Sequence, residues 1–256
     1  MWKGTITFAS VKLPVKLYSG FTDKSIHFRL LDDKRHEPVM QQMIDPDTGD
    51  IVPNSEIRSA YETKSGELVM LDDDELEAAE PEPSRDIEIT RFVDQDDIGS
   101  AWYDRPYFLG PDGDSADDYF ALARALAEQK KEGIARWVMR NKEYSGALKA
   151  EGEYLVLITL RHAGEVVPAS ALPAPGGRDV SQKEVAMAKQ LVDTMIAEFD
   201  PAKYKDEYRA RVLDLVEAKA KGKVIKFPKA PKRPETTSLA TVLQKSLAQA
   251  KGRKSA

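Results

Sequence analysis

The sequence predicts a mainly β protein with some helix: an antiparallel barrel or sandwich, followed by helices and a basic tail. Short runs that alternate between apolar and polar residues, separated by turn residues, fill the first part of the chain, as is typical of such folds. A proline- and glycine-rich stretch at 167–177 then indicates a linker. Beyond it, apolar residues recur at helical spacing.

The strands are predicted from alternation and from turn residues. Residues 26–30 alternate as a half-buried strand does, and the Asp- and Gly-containing sequence at 45–50 is suited to a tight turn. Residues 154–160 are nearly all apolar, which indicates a strand buried on both faces. Further strands are predicted at 67–71, 87–93 and 134–140, and an acidic helical turn at 72–80.

Three longer helices are predicted from capping residues. Ser115 is a good N-cap for a helix that ends at Gly133. Ser181 and Glu184 have the spacing of a capping box at the start of the second helix, and Asp200 followed by proline begins the third. The apolar stripes of the last two helices are expected to be buried.

The C-terminal end carries the opposite charge to the rest of the chain. Residues 219–256 hold eleven Lys and Arg against one acidic residue, a net charge of +10. The other 218 residues hold 27 basic and 42 acidic side chains, or −15, which accounts for the total of −5. A cationic tail gains affinity for phosphates by releasing counterions, so the asymmetry predicts a polyanion as partner. The charge alone leaves a solubilising tail as an alternative.

Composition excludes several classes of protein. The chain has no cysteine, which excludes disulfides, thiolate nucleophiles and Cys-based zinc sites. No apolar run approaches the ~20 residues of a membrane span, and the N-terminus lacks the apolar region and cleavage site of a secretion signal. We expect a cytoplasmic protein without a membrane partner.

No enzymatic site is predicted. His27, His36 and His162 have no partner at metal-ligand spacing, and neither a phosphate loop nor a dinucleotide-binding glycine motif occurs. The run 72–74 offers three Asp carboxylates to a divalent cation, but adjacent residues rarely direct three carboxylates at one ion. A metal-dependent nuclease is therefore the third-ranked hypothesis, and we expect no catalytic residue, metal, cofactor or small-molecule substrate.

Basic residues within the acidic body are the candidate binding residues. On one concave face they would contact phosphates; the alternative is scattered surface cations paired with Asp and Glu. No aromatic row indicates stacking of single-stranded bases, and no helix-turn-helix or zinc finger is present, which leaves double-stranded DNA bound through its backbone. Lys3, Lys12 and Lys16 fall in the first predicted strands. The candidates are Lys12, Lys16, Arg29, Lys34, Arg35, Arg58, Lys64, Arg136 and Arg140 in the body, and Lys226, Lys229, Lys232 and Arg233 in the tail.

Several stretches resemble the bacterial Ku family of DNA-end-binding proteins. The resemblance is carried by W-K-G-T-I-T-F-A-S-V-K-L-P-V-K-L-Y-S at 2–19, Y-D-R-P-Y-F-L at 103–109 and F-D-P-A-K-Y-K-D-E-Y at 199–208. It covers about residues 2–223 in order, and the remaining residues match only as a basic tail.

The resemblance implies a fold and a role that periodicity does not show. It implies a β-barrel with a bridging hairpin at about 27–66, in a homodimer that forms a ring around a double-stranded DNA end. The role would be non-homologous end joining of double-strand breaks, with recruitment and stimulation of an ATP-dependent DNA ligase, ligase D. The 200–222 segment would contact the ligase, with Tyr204, Tyr208 and Arg209 as candidate contacts.

These inferences divide the chain into four parts. They are a Ku-like barrel with its bridge at 1–166, a Pro/Gly linker at 167–180, a helical C-terminal arm at 181–222 and a flexible basic tail at 223–256. The main rival is a non-catalytic scaffold whose basic tail binds RNA or an acidic protein. A preference for linear over closed circular DNA would separate the two hypotheses.

Overall fold

A computed structural model describes residues 2–113, 116–177 and 179–223. It divides into two units, Met1–Ala171 and Leu172–Ala256. The tail candidates Lys226, Lys229, Lys232 and Arg233 lie outside the described residues, as does the predicted helix cap Ser115. Within the described part, no helix is both long and apolar enough to cross a membrane.

In the described residues of the first unit, seven strands close into a barrel. They are β1 (Trp2–Phe8), β2 (Val11–Ser19), β5 (Asp86–Asp94), β6 (Tyr103–Pro111), β7 (Lys131–Met139), β8 (Lys142–Glu151) and β9 (Tyr154–Leu160). Their order around the barrel is β1-β2-β6-β9-β8-β7-β5. The predicted β-barrel is thereby confirmed.

The barrel is mixed rather than wholly antiparallel. β1 pairs with β5 in parallel, whereas the other neighbouring strands are antiparallel. Parallel neighbours need a long crossover connection, and the 20–85 segment between β2 and β5 supplies it. The sequence pattern indicated individual strands but did not indicate that β1 and β5 pair to close the barrel.

The hydrophobic core consists of alternate residues of the barrel strands and one face of the helix α2 (Ala116–Gln129). Ala135, Trp137 and Met139, at alternate positions of β7, are all buried. Tyr119 of α2 is also buried. Its hydroxyl donates to the carbonyl oxygen of Leu109 at 2.6 Å and accepts from the N–H of Leu155 at 2.7 Å, which anchors α2 to β6 and β9.

Gly133 does not end α2, contrary to expectation. The helix ends at Gln129, Lys130 takes a left-handed φ of 52°, and β7 has already begun at Lys131. A Cβ on Gly133 would lie 3.0 Å from Cγ2 of Ile89, so glycine is needed here for the close approach of β7 to β5.

The segment between β2 and β5 is largely extended and exposed. The strand predicted at 26–30 is absent: described residues 20–58 contain a 3₁₀ turn, Asn54–Glu56, and no β structure beyond the isolated bridges Leu31–Pro38 and Ile44–Ile51. Alternation alone does not make a strand where no surface covers the apolar face. The predicted turn at 45–50 does form, with Asp45 Oδ1 accepting from the N–H of Asp47 at 2.8 Å. We call residues 20–58 the bridge segment.

A small hairpin and a short helix follow the bridge segment. β3 (Ser59–Glu62) and β4 (Leu68–Leu71) pair antiparallel in a two-stranded sheet, so the strand predicted at 67–71 is confirmed. The acidic turn predicted at 72–80 is the short helix α1 (Asp73–Ala78).

The second unit contains α3 (Gln182–Met195) and α4 (Glu207–Ala220). Ser181 Oγ accepts from the N–H of Glu184 at 3.3 Å, as the predicted capping box requires. The third predicted helix starts later than expected: Asp200 caps a 3₁₀ turn, and Asp206 then caps α4.

The expected burial of the two apolar stripes is wrong. None of the described side chains of α3 is buried, and in α4 only that of Ala218 is. Capping residues and helical spacing are local signals, whereas burial needs an opposing surface, and these signals do not specify one.

Candidate nucleic-acid interface

The outer surface of β1 and β2 carries a group of lysines. Lys12 and Lys16 point outward from β2, because they alternate with the buried Leu13 and Val15. Lys3 on β1 lies directly across from Lys16 in the antiparallel register. Four residues along a strand separate Lys12 from Lys16 by about 13 Å. We call Lys3, Lys12 and Lys16 the lysine face.

Asp112, in the loop after β6, lies between two of these lysines. Its carboxylate oxygens are 2.9 Å from Lys3 Nζ and 2.8 Å from Lys16 Nζ. Its backbone N–H donates to the carbonyl oxygen of Pro14 at 3.0 Å, which holds the loop against β2. The Asp112 side chain is 23% exposed, against 29% for Lys16 and 56% for Lys3.

The same contacts set the charge states of this group. Hydrogen bonds from Lys16 and Lys3 lower the pKa of Asp112, and the hydrogen bond to Asp112 raises the pKa of Lys16. Both shifts favour the charged forms of Asp112 and Lys16. The carboxylate offsets one of the two positive charges that lie beside it.

The outer surface of β5 and β7 has a different charge balance. The predicted DNA contact Arg136 lies directly across from Glu88 in the strand register. It shares a cavity of about 440 Å³ with Asp86, Glu88 and Glu143. Arg136 is therefore set among carboxylates, which disfavours a phosphate at this position.

Arg140 lies in the tight turn between β7 and β8. Arg140 and Asn141 have φ values of 53° and 60°, the left-handed pair that a two-residue hairpin turn requires. Arg140 lines a cavity of about 260 Å³ with Trp2 and Arg85. Arg85 was not among the predicted residues, because nothing in its local sequence distinguishes it from other surface cations.

The predicted cations of the bridge segment and the following hairpin are all exposed. Arg35 lies 3.6 Å from Glu37, a long and solvated ion pair. Arg58 differs, because its Nη1 donates to the carbonyl oxygens of Ser55 at 2.8 Å and Ile57 at 3.0 Å and so holds a turn. The remaining members of this group are Arg29, Lys34 and Lys64.

Large apolar side chains are exposed on the same bridge segment. Met40 is 86% exposed, Phe28 67% and Met43 66%. Exposed apolar groups in such number indicate a surface that another molecule covers. The others in the segment are Phe21, Leu30, Leu31, Val39, Ile44, Ile51 and Ile57.

The fold assembles an aromatic group that the sequence did not reveal. Tyr18 on β2 is the register partner of Phe108 on β6, and the Phe108 ring meets that of Tyr154 on β9 at 6.2 Å in an edge-to-face arrangement. All three side chains are at least 36% exposed. Sequence alone did not indicate this group, because its residues are far apart in sequence and meet only through strand pairing.

The predicted ligase contacts lie at the start of α4. Tyr204 is 75% exposed and Tyr208 66%, so neither is a core residue of a helix pair. The Tyr204 ring stacks on Phe199 at 5.3 Å. The backbone N–H of Arg209 donates to Asp206 Oδ1 at 2.8 Å and completes the N-cap.

The acidic run at 72–74 forms the N-terminal end of α1. Asp72 forms a capping box with Glu75, and Asp73 and Asp74 occupy the first helical turn. The structure, over the residues it describes, contains no group of three His, Asp or Glu side chains placed to hold a metal ion.

Comparisons with known proteins identify relatives of this chain. The family model of the Ku70/Ku80 beta-barrel domain matches residues 7–191. The chain is 36% identical over 250 residues to the non-homologous end joining protein Ku of Coxiella burnetii, covering 95% of this chain and 91% of that protein. It is 36% identical over 249 residues to non-homologous end joining protein Ku 2 of Geotalea uraniireducens, covering 96% of each. For the Bacillus subtilis non-homologous end joining protein Ku, the identity is 32% over 251 residues, or 96% of this chain and 81% of that one.

Proposed function

This chain belongs to the Ku family, and we propose that it binds the ends of double-stranded DNA, without sequence preference, in non-homologous end joining of double-strand breaks. The observation that carries the proposal is the lysine face on the barrel of an acidic body. Residues 1–218 have a net charge of −15, yet Lys3, Lys12 and Lys16 share one outer strand surface. A broken end would be held there in the cytoplasm, on the nucleoid.

Phosphate contact suits the task, because a break has no fixed sequence. Contacts to phosphates position a protein on the duplex without reading bases. Lysines on a strand surface supply point charges for this purpose. The exposed cations Arg29, Lys34, Arg35 and Lys64 extend the candidate contacts along the bridge segment and the hairpin after it.

We propose further that two copies form a ring around the DNA. The support is the bridge segment, whose apolar side chains, such as Met40 and Met43, are exposed among the residues that the structure describes. A second copy would bury them in an obligate interface, which typically covers about 2,000 Å² or more. Closing the ring would also explain selection for ends, since a closed ring can load only where the DNA stops.

The chain itself is proposed to be non-catalytic and to recruit and stimulate an ATP-dependent DNA ligase, ligase D. The exposed tyrosines Tyr204 and Tyr208 and the neighbouring Arg209 support a docking role for the region around the start of α4. Tyrosines are suited to protein interfaces because the ring is buried while the hydroxyl keeps a polar partner.

Competition between DNA forms tests the proposed function. Labelled linear duplex is bound by the protein and challenged with unlabelled linear or closed circular plasmid of the same sequence, at equal mass. We expect linear DNA to compete far better than the closed circle, because only the linear form offers ends. Equal competition would contradict end binding. Stronger competition by RNA of the same length would favour the scaffold hypothesis instead.

A further inference from the structure

A carboxylate stands in the middle of the surface that we propose for phosphate. Lys3 and Lys16 face each other across β1 and β2, and Asp112 contacts the ammonium group of each. A phosphate that approaches either ammonium group must compete with this carboxylate for the ion pair.

We propose that Asp112 limits how tightly the lysine face binds DNA, by competing within the protein for the same ammonium groups that contact the phosphodiester backbone. The inference rests on the proposed function, since it requires that the lysine face touch DNA. Asp112 then lowers the affinity of the lysine face for DNA and makes no favourable contact with the DNA itself.

The geometry keeps Asp112 in place when DNA arrives. The backbone N–H of Asp112 is bonded to the Pro14 carbonyl oxygen, and its carboxylate contacts two strands at once. The lysine side chains are longer and freer, with Lys3 56% exposed. The ammonium groups can therefore turn toward a phosphate while the carboxylate stays behind and repels it.

Such a limit fits a protein that loads at an end and then moves along the duplex. Electrostatic binding that ignores sequence allows proteins to slide, provided that each contact exchanges readily. Exposed ion pairs are individually weak, so Lys3 and Lys16 can exchange carboxylate for phosphate at little cost. Without the Asp112 carboxylate, both ammonium groups could pair with phosphates without competition from it.

The test compares Asp112→Asn with Asp94→Asn. The amide has the size of the carboxylate but no charge. Asp94 is a matched control, because its ion pair with Lys131, at 2.6 Å, lies on β5 and β7 away from the lysine face. Both variants change the net charge by the same amount. Affinity for two unrelated blunt duplexes of equal length is measured over a range of salt concentrations.

We expect Asp112→Asn to bind both duplexes roughly three-fold or more tightly at low salt, whereas Asp94→Asn should stay close to the parent protein. The slope of log K against log salt should become steeper by about 0.9 for each phosphate newly neutralised. Equal affinities for Asp112→Asn and Asp94→Asn would overturn the inference. The proposed function would still stand in that case, provided that the parent protein keeps its preference for linear DNA.

A second comparison shows whether the effect acts through the lysines. Asp112→Asn is also introduced into a Lys3→Met, Lys16→Met background, and near-ultraviolet circular dichroism checks the fold of every variant. We expect the gain in affinity to disappear in that background. A gain of the same size without the lysines would show that Asp112 acts by another route, and the inference would be wrong. A parent protein that binds no linear duplex would instead refute the proposed function.

Discussion

Gly146 on β8 lies against the indole ring of Trp137 on β7. A Cβ on Gly146 would come 2.6 Å from Cζ3 of Trp137 and 2.7 Å from the carbonyl oxygen of Ile158. Trp137 is only 2% exposed, and its ring stacks on Tyr144 at 5.5 Å, so it has little room to move away. The indole ring fits into the barrel interior because Gly146 has no side chain.

Gly146→Ala should therefore lower the free energy of unfolding by about 1–3 kcal/mol, the usual effect of overpacking a core. Urea denaturation followed by tryptophan fluorescence measures it. Gly164→Ala is the control, because nothing lies within 4 Å of a Cβ at that position. Equal stability of the two variants would mean that the barrel strands separate easily at this point.

The pKa of Asp112, lowered by Lys16 and Lys3, predicts a pH-dependent contribution to stability. A carboxyl whose folded pKa lies below its unfolded value stabilises the fold above about pH 3.9, and the contribution is lost as the pH falls through the folded pKa. Asp112→Asn should therefore be less stable than the parent protein at pH 6, and the difference should be smaller at pH 2. An unchanged difference at both pH values would show that the ion pairs do not stabilise the fold.

Glutamate at both Met40 and Met43 should separate the proposed homodimer into monomers. The apolar side chains of the bridge segment are exposed in the single chain, and burying two unpaired carboxylates in an interface is costly. Sedimentation velocity at micromolar concentration measures the state of assembly. Val167→Glu, at a residue 68% exposed and outside the bridge segment, serves as the control. A parent protein that is itself monomeric at this concentration would refute the ring.

Charge reversal at Arg35 should weaken binding equally for duplexes of unrelated sequence. Its guanidinium is exposed, and its ion pair with Glu37 is long, so the charge is available to a phosphate. Loss of one phosphate contact should reduce the salt slope by about 0.9. Arg124→Glu, on the exposed side of α2, is the control for net charge. A loss that depends strongly on the duplex sequence would indicate base recognition and contradict the proposal.

Removal of residues 223–256 should reduce the salt slope and internal DNA binding but leave end loading and ligase contact intact. The barrel core lies wholly within Met1–Ala171, so the truncated protein should fold. The removed segment holds nine Lys and Arg residues. Loss of ligase pull-down after truncation alone would place the docking site in the tail.

Tyr208→Ala tests the docking assignment directly. The side chain is 66% exposed, so its removal should leave the far-ultraviolet circular dichroism spectrum unchanged while ligase pull-down and end joining fall. Tyr154→Ala, 58% exposed on the barrel, provides a tyrosine control. Normal ligase binding by Tyr208→Ala would exclude this residue as an anchor.

Local patterns in the sequence determined much of the fold. The strand predicted at 134–140 corresponds to most of β7, and the apolar run at 154–160 predicted β9, whose residues 155–159 are all buried. The capping box at Ser181 placed the start of α3. These signals succeed because side-chain direction in a strand, and hydrogen bonding at a helix end, depend on residues close in sequence.

Only the tertiary structure decided which residues meet. Lys3, Lys16 and Asp112 come from three separate segments, and no periodicity links the third to the first two. The alternation at 26–30 was misleading for a related reason, because it is a local pattern and its apolar residues Phe28 and Leu30 stay exposed in the described structure. Strand register and barrel closure set these relationships, and they depend on the packing of the whole chain rather than on its local order. The sequence by itself therefore determined several barrel strands and the cap of α3 in this Ku-family protein, and the fold decided which strands close the barrel and how its charges are paired.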